Sequence, residues 1–167
     1  MSARSSRRMV FCGVTLQGLE QLADGGGGAA LDGRAATRTL LAQHGTGPDE
    51  EEADYLAQSL ASLDSLLLGE GPRVVVALDA ERAAVTVVEE AIGHIRLDPA
   101  DWGWATAVFV DEPQSAPALA AARAALAGHP GRVGEPGLPA PVTELLEDHP
   151  LLWFLPTELP DVLALHR

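Results

Sequence analysis

The apolar residues fall into short runs separated by turn formers, and the period within each run identifies the element it predicts. Residues 10–14 form a continuous apolar, β-compatible run, which predicts a buried strand. Thr15 follows as a helix N-cap, and Leu16, Leu19, Leu22 and Ala23 recur at helical spacing until Asp24 and the four glycines at 25–28 end the helix. Segment 33–41 mixes strand-compatible Thr with helix-compatible Ala and Leu, and it reads as an exposed second strand. The clearest helix runs from Asp49 to about Leu68. Glu50, Glu51 and Glu52 occupy its first turn, where the helix dipole favours carboxylates, and Ala53, Leu56, Leu60, Leu63 and Leu67 form its apolar stripe. That stripe predicts packing on a sheet, with Ser59, Ser62 and Ser65 along the solvent edge.

Further on, residues 73–78 predict a strongly buried strand, and 84–88 a second strand paired with it as a hairpin. Strands follow at 92–97 and 104–110, then an Ala-rich helix at 116–126 with Pro117 in its first turn. A Gly- and Pro-rich loop covers 128–141, and a helical segment starts at Thr143. Pro150, Pro156 and Pro160 divide the tail into short helical pieces. This order predicts an α+β two-layer sandwich: a mixed or antiparallel sheet with helices on one face, for which a ferredoxin-like topology is the nearest common arrangement. A single domain spans 9–163, after a disordered basic leader at 1–8 and before a short tail at 164–167.

Composition changes this picture in three ways. Aromatics make up only 4% of the 167 residues, so the core is built from Leu, Val and Ala, and Leu151-Leu152-Trp153-Phe154 is the densest apolar cluster. Trp153 is accordingly expected inside. The net charge of −13 opposes nucleic acid and anionic lipid, whose binding rests on neutralising phosphates, and favours a protein partner with a basic surface. The lone Cys12 allows no intramolecular disulfide and suits a reducing cytoplasm. The short apolar run near the N-terminus is too short for a signal segment, and no stretch reaches the length of a membrane span. The chain has no Lys and no Asn, which points to a GC-rich, actinobacterium-like source. A monomer or homodimer is expected.

Few residues suggest chemistry. Asp111 ends a buried strand, a place where carboxylates are often catalytic, although such residues also cap a following helix. With His149 and Glu158 it forms the only candidate acid–base set. His94, Asp98 and Asp101 can converge around a turn but match no metal signature, and neither metal nor cofactor is expected. There is no Gly-x-Ser-x-Gly elbow, and Cys12 lies within a predicted strand as inert packing. Candidate binding residues are Glu51, Glu52, Tyr55, Trp153 and Phe154. The leading expectation is a non-enzymatic interaction or regulatory protein. The alternatives are a small carboxylate-dependent hydrolase, and a small-molecule-binding module with a pocket lined by Trp102, Trp104 or Trp153.

Four segments, in order, carry a resemblance: Val10-Phe11-Cys12-Gly13-Val14-Thr15-Leu16; the acidic, Tyr-bearing Glu51-Glu52-Ala53-Asp54-Tyr55-Leu56-Ala57; Val108-Phe109-Val110-Asp111; and Leu151-Leu152-Trp153-Phe154 followed by Glu158-Leu159. Together they resemble a family of short actinobacterial proteins of unknown function, over most of the chain from Val10 to about Leu163. Phe154 stands where that family carries Tyr, and Pro156 enters a helix-compatible stretch. The resemblance implies a cytoplasmic, single-domain protein and no particular activity.

Overall fold

Phe11 faces one side of the central strand while Val10, Cys12 and Val14 face the other, and both sides are buried. The computed structural model describes residues 6–25, 29–45 and 49–167. Its strands are β1 (Arg7–Val14), β2 (Leu31–Arg34), β3 (Val74–Glu81), β4 (Val85–Glu89), β5 (His94–Leu97), β6 (Ala105–Val110) and β7 (Leu152–Phe154). They form one open antiparallel sheet in the order β4-β5-β2-β1-β3-β6-β7. The helices are α1 (Leu16–Ala23), α2 (Arg38–Gln43), α3 (Glu50–Leu66), α4 (Ala116–Ala127), α5 (Ala140–Asp148) and α6 (Leu159–Leu165). The fold is α+β with an antiparallel sheet.

The layering differs from the predicted one-sided sandwich. Leu19 of α1 and Val162 of α6 cover Val10, Cys12, Val74, Val76 and Val108 on one face. Ala57 and Ala61 of α3 cover Phe11, Val75, Ala77 and Ala107 on the other, and α4 and α5 pack on α3 through Leu63, Leu66, Leu119, Ala122, Val142 and Leu145. The cause is legible in β3, where Val74-Val75-Val76-Ala77-Leu78 is apolar at every position and so buries both faces. Nor is the topology ferredoxin-like: β1 and β2, on either side of α1, are adjacent and antiparallel rather than split by a third strand.

Other boundaries also move. β3 pairs with β1 and β6, not with β4, so the predicted 73–88 hairpin is absent and β4 is instead an edge strand on β5. Segment 33–41 divides into the end of β2 and the short helix α2, because Thr37 caps a helix by accepting from Leu40 N. β1 begins at Arg7, inside the predicted leader, and α6 runs past the predicted end of the domain at 163. Residues 1–5 of that leader and the glycines at 26–28 lie outside the described residues.

α3 approaches β1 closely at one point. A Cβ on Gly13 would sit 2.2 Å from the Ala61 carbonyl oxygen and 2.7 Å from Ser65 N, so the crossing requires glycine. Beside it Ser65 is buried, not on a solvent edge. Its hydroxyl donates to Val14 O at 2.6 Å and accepts from Val74 N at 2.8 Å, joining the end of β1 to the start of β3.

Cys12 lies in this core with no exposure. Burial, with Asp32 and Asp64 adding to it, pushes its thiol up to about 12. Below the unfolded thiol's own pKa the group is neutral in both states and costs nothing. Above it the unfolded thiol ionises while the folded one cannot, so stability falls as pH rises toward 12, by up to about 1.4 kcal/mol per pH unit. Urea midpoints at pH 8 and pH 10.5 should therefore fall further apart in the wild type than in Cys12→Ala; equal losses in both chains would contradict this.

Candidate functional site

Because β3 and β6 are antiparallel neighbours, with Val74 opposite Val110, the residue before β3 lies beside the residue after β6. These are Arg73 and Asp111, with side-chain exposures of 1% and 0%. Arg73 Nε donates to Asp111 Oδ2 at 2.9 Å, and Nη2 donates to Oδ1 at 2.7 Å. The Arg73 backbone N–H donates to Oδ2 at 2.8 Å. Nη2 also donates to the His149 carbonyl at 2.7 Å, and Nη1 reaches Ser62 Oγ at 3.4 Å. The Asp111 carbonyl accepts from His166 Nε2 at 2.6 Å. A buried ion pair stands only when its remaining donors and acceptors are satisfied, and here they are.

This assembly pins the tail to the sheet. His149 follows α5 and His166 ends α6, and both are fastened through the Arg73–Asp111 pair. Both Asp111 oxygens are committed to Arg73, which leaves neither free to take a proton from a substrate or water. Asp111 does not cap the following helix either; Ser115 takes the N-cap position of α4. His149 Nδ1 lies 3.3 Å from Ser115 Oγ. Glu158 Oε2 accepts from Leu155 N at 2.7 Å and closes its own turn. Asp111 and His149 are thus brought together through a guanidinium, and Glu158 serves elsewhere.

Beside Arg73 lies a small cavity of about 120 Å³, lined among others by Tyr55, Ser59, Ser62, His149 and Leu151. Ser62, expected at a solvent edge, is buried there. Tyr55, Ser59 and Leu146 also line a wider groove of about 700 Å³ between α3 and α5. Leu56, Leu138 and Leu146 supply its apolar lining, and Glu51, Glu52 and Glu147 its charge. The carboxylates sit here because Asp49 starts α3, its Oδ1 accepting from Glu51 N at 2.8 Å. Tyr55 is 58% exposed, one turn along the helix.

Trp153 is not in the core: it is 57% exposed. The tail cluster forms the edge strand β7 rather than a helix, and strand alternation divides it. Leu152 and Phe154 turn toward the α1/α6 core, so Phe154 is a packing residue and not a surface anchor. Trp153 turns the other way, opposite Phe109 of β6. Leu151 packs with Phe109 in the α3-side cluster and also lines the small cavity with Tyr55. An apolar edge therefore runs from Trp153 through Leu151 to Tyr55 and the acidic groove. Trp102 and Trp104 pack partly buried against the α1/α6-side core.

His94 pairs with Asp32 at 2.9 Å, and Asp101 caps Gly103 N. Among the described residues no group of three or more His, Cys, Asp or Glu could hold a metal ion. Sequence reasoning missed a second guanidinium brace, Arg34, which grips Asp64 of α3 at 2.7 and 2.8 Å and the Ile92 carbonyl at 2.7 Å. An Arg at the end of a short apolar or Gly-containing strand was the available signal at both braces, just before β3 for Arg73 and closing β2 for Arg34. Among the described residues no helix is long and apolar enough to cross a membrane.

The fold and this face define a single-domain α+β protein with an open antiparallel sheet, helices on both faces and an exposed aromatic edge beside an acidic groove. The chain belongs to the family of unknown function DUF6912, which it matches over residues 8–163. No curated protein and no solved structure matches it.

Proposed function

We propose that this is a non-enzymatic interaction protein that docks a partner segment on the edge formed by Trp153, Leu151 and Tyr55 and in the adjoining α3/α5 groove. The exposed Trp153 carries this reading. A chain with so few aromatics leaves one of its three Trp largely in water, in line with a second exposed aromatic, and such residues dominate binding energy where a partner covers them. Glu51, Glu52 and Glu147 beside the groove, on a chain of net charge −13, favour a segment with Arg or Lys around an apolar anchor. The same charge disfavours nucleic acid and anionic membranes as partners. Both oxygens of the candidate base are occupied by Arg73, which sets the hydrolase reading below this one. The buried, unpaired Cys12 supports a cytoplasmic setting, and the Lys-free composition supports an actinobacterial host.

Two measurements test the reading. In a chain keeping Trp153 alone, with Trp102 and Trp104 changed to Phe, emission should be red-shifted and quenched by iodide, and Trp153→Ala should leave stability within about 0.5 kcal/mol. Synthetic peptides carrying Arg or Lys around a Leu or Phe should bind in fluorescence polarisation. That binding should weaken with salt, weaken in Glu51→Gln/Glu52→Gln, and weaken most in Trp153→Ala and Tyr55→Ala. Binding that is equal for acidic control peptides, or indifferent to those four changes, would sink the proposal.

A further inference from the structure

A second site lies on the other side of the sheet. Arg8 enters β1 on the face of Val10 and Cys12, and it lines a cleft of about 410 Å³ with Ala36, Thr37, Arg38, Val87 and Glu90. The cleft's walls are tied together, since Thr37 Oγ1 donates to the Glu90 carbonyl at 2.6 Å. Acidic residues outnumber arginines by 24 to 11, so arginine partners are plentiful. Among the described residues Arg7, Arg34, Arg73, Arg82, Arg96, Arg123, Arg132 and Arg167 are all engaged by carboxylates, carbonyls or other contacts. Only Arg8 and Arg38 have no hydrogen-bond or ion-pair partner there, and both face this one cleft.

We propose that this cleft binds a small phosphorylated molecule, with Arg8 and Arg38 holding the phosphate and Val87 and Ala36 facing its organic part. Between them two guanidinium forks can engage all three terminal oxygens of a phosphate monoester, one more than a single carboxylate offers. The local balance of Arg8 and Arg38 against Glu90 is positive although the chain is acidic, and remote charges are screened beyond about 8 Å at physiological salt. Burial and the neighbouring Arg82 guanidinium push Arg8 below the usual arginine range, against the pull of Glu90, so an incoming anion relieves an existing repulsion. The volume suits a small ligand, and Val87, 44% exposed on the edge strand β4, offers it apolar surface.

Calorimetric titration of the full chain with phenyl phosphate, inorganic phosphate and benzoate tests this. Phenyl phosphate should bind saturably and more tightly than either comparison ligand. Arg8→Gln and Arg38→Gln should each weaken it about tenfold or more, the scale of one charged hydrogen-bonding group. Glu90→Gln should tighten it severalfold, a gain that no folding defect imitates. Arg38 is exposed, so Arg38→Gln and Glu90→Gln keep the test decisive even if Arg8→Gln fails to fold. No saturable binding, binding indifferent to Arg38→Gln and Glu90→Gln, or benzoate binding as tightly as phenyl phosphate would each overturn the proposal. The outcome is independent of the Trp153 edge, and Trp153→Ala should leave phenyl phosphate binding unchanged.

Discussion

Asp111→Ala should lower the stability of the folded chain by about 3–5 kcal/mol, because it strands the Arg73 guanidinium in a site with 1% exposure. Little of that loss is packing. Asp111 receives three hydrogen bonds from Arg73, two from the guanidinium and one from the backbone, and the same guanidinium holds the His149 carbonyl. Removing the carboxylate leaves a desolvated cation with only neutral partners. Adding Arg73→Met removes that cation and should recover much of the loss, since an apolar replacement for a buried pair is often near neutral. Urea unfolding of the wild type, the single and the double variant reads both effects. A loss under about 1 kcal/mol in Asp111→Ala, or a double variant no better than the single, would show that the pair does not brace the fold. The hydrolase reading makes a different demand: an Asp111 acting as a base would be removable at little cost to stability.

The elements whose period is local were legible in the chain. The buried run at 10–14, the Thr15 cap, the acidic start of α3 and the strand ending at Val110 all stand where spacing alone puts them. What failed was pairing across distance. The proximity of 73–78 and 84–88 suggested a hairpin, yet both edges of β3 are taken by β1 and β6, while helices cover its two faces. The same error hid the Arg73–Asp111 pair: its two residues are 38 apart in sequence and meet only because β3 and β6 run antiparallel. Trp153 was misplaced for another reason. An apolar cluster says how much area needs burial but not which way each side chain turns, and in a strand neighbours turn oppositely. Arg8 and Arg38 carry no sequence signal, because having no hydrogen-bond or ion-pair partner among the described residues is a property of the folded surface.

The phase of α3 admits a direct test with a large effect. The leucine stripe predicted Leu56, Leu60, Leu63 and Leu67 on the sheet. The structure instead lays Ala57 and Ala61 against β1, keeps Leu60 and Leu63 buried, and leaves Leu67 54% exposed beyond the helix end. The small side chains are required at the sheet because Gly13 brings the two backbones together, and leucine would not fit between them. Leu63 turns instead toward Leu119 and Ala122 of α4 and Val142 and Leu145 of α5. Leu60→Ala and Leu63→Ala should therefore each cost about 2–5 kcal/mol, the range for a leucine truncated in a closed core. Leu67→Ala should stay within about 0.5 kcal/mol. Chemical denaturation of the three variants separates the two helix phases. If Leu67→Ala costs as much as Leu60→Ala, the helix follows its leucines onto the sheet. If only Leu60→Ala and Leu63→Ala are costly, its alanines face the sheet, and Leu63 carries the outer helices on which the acidic groove is built.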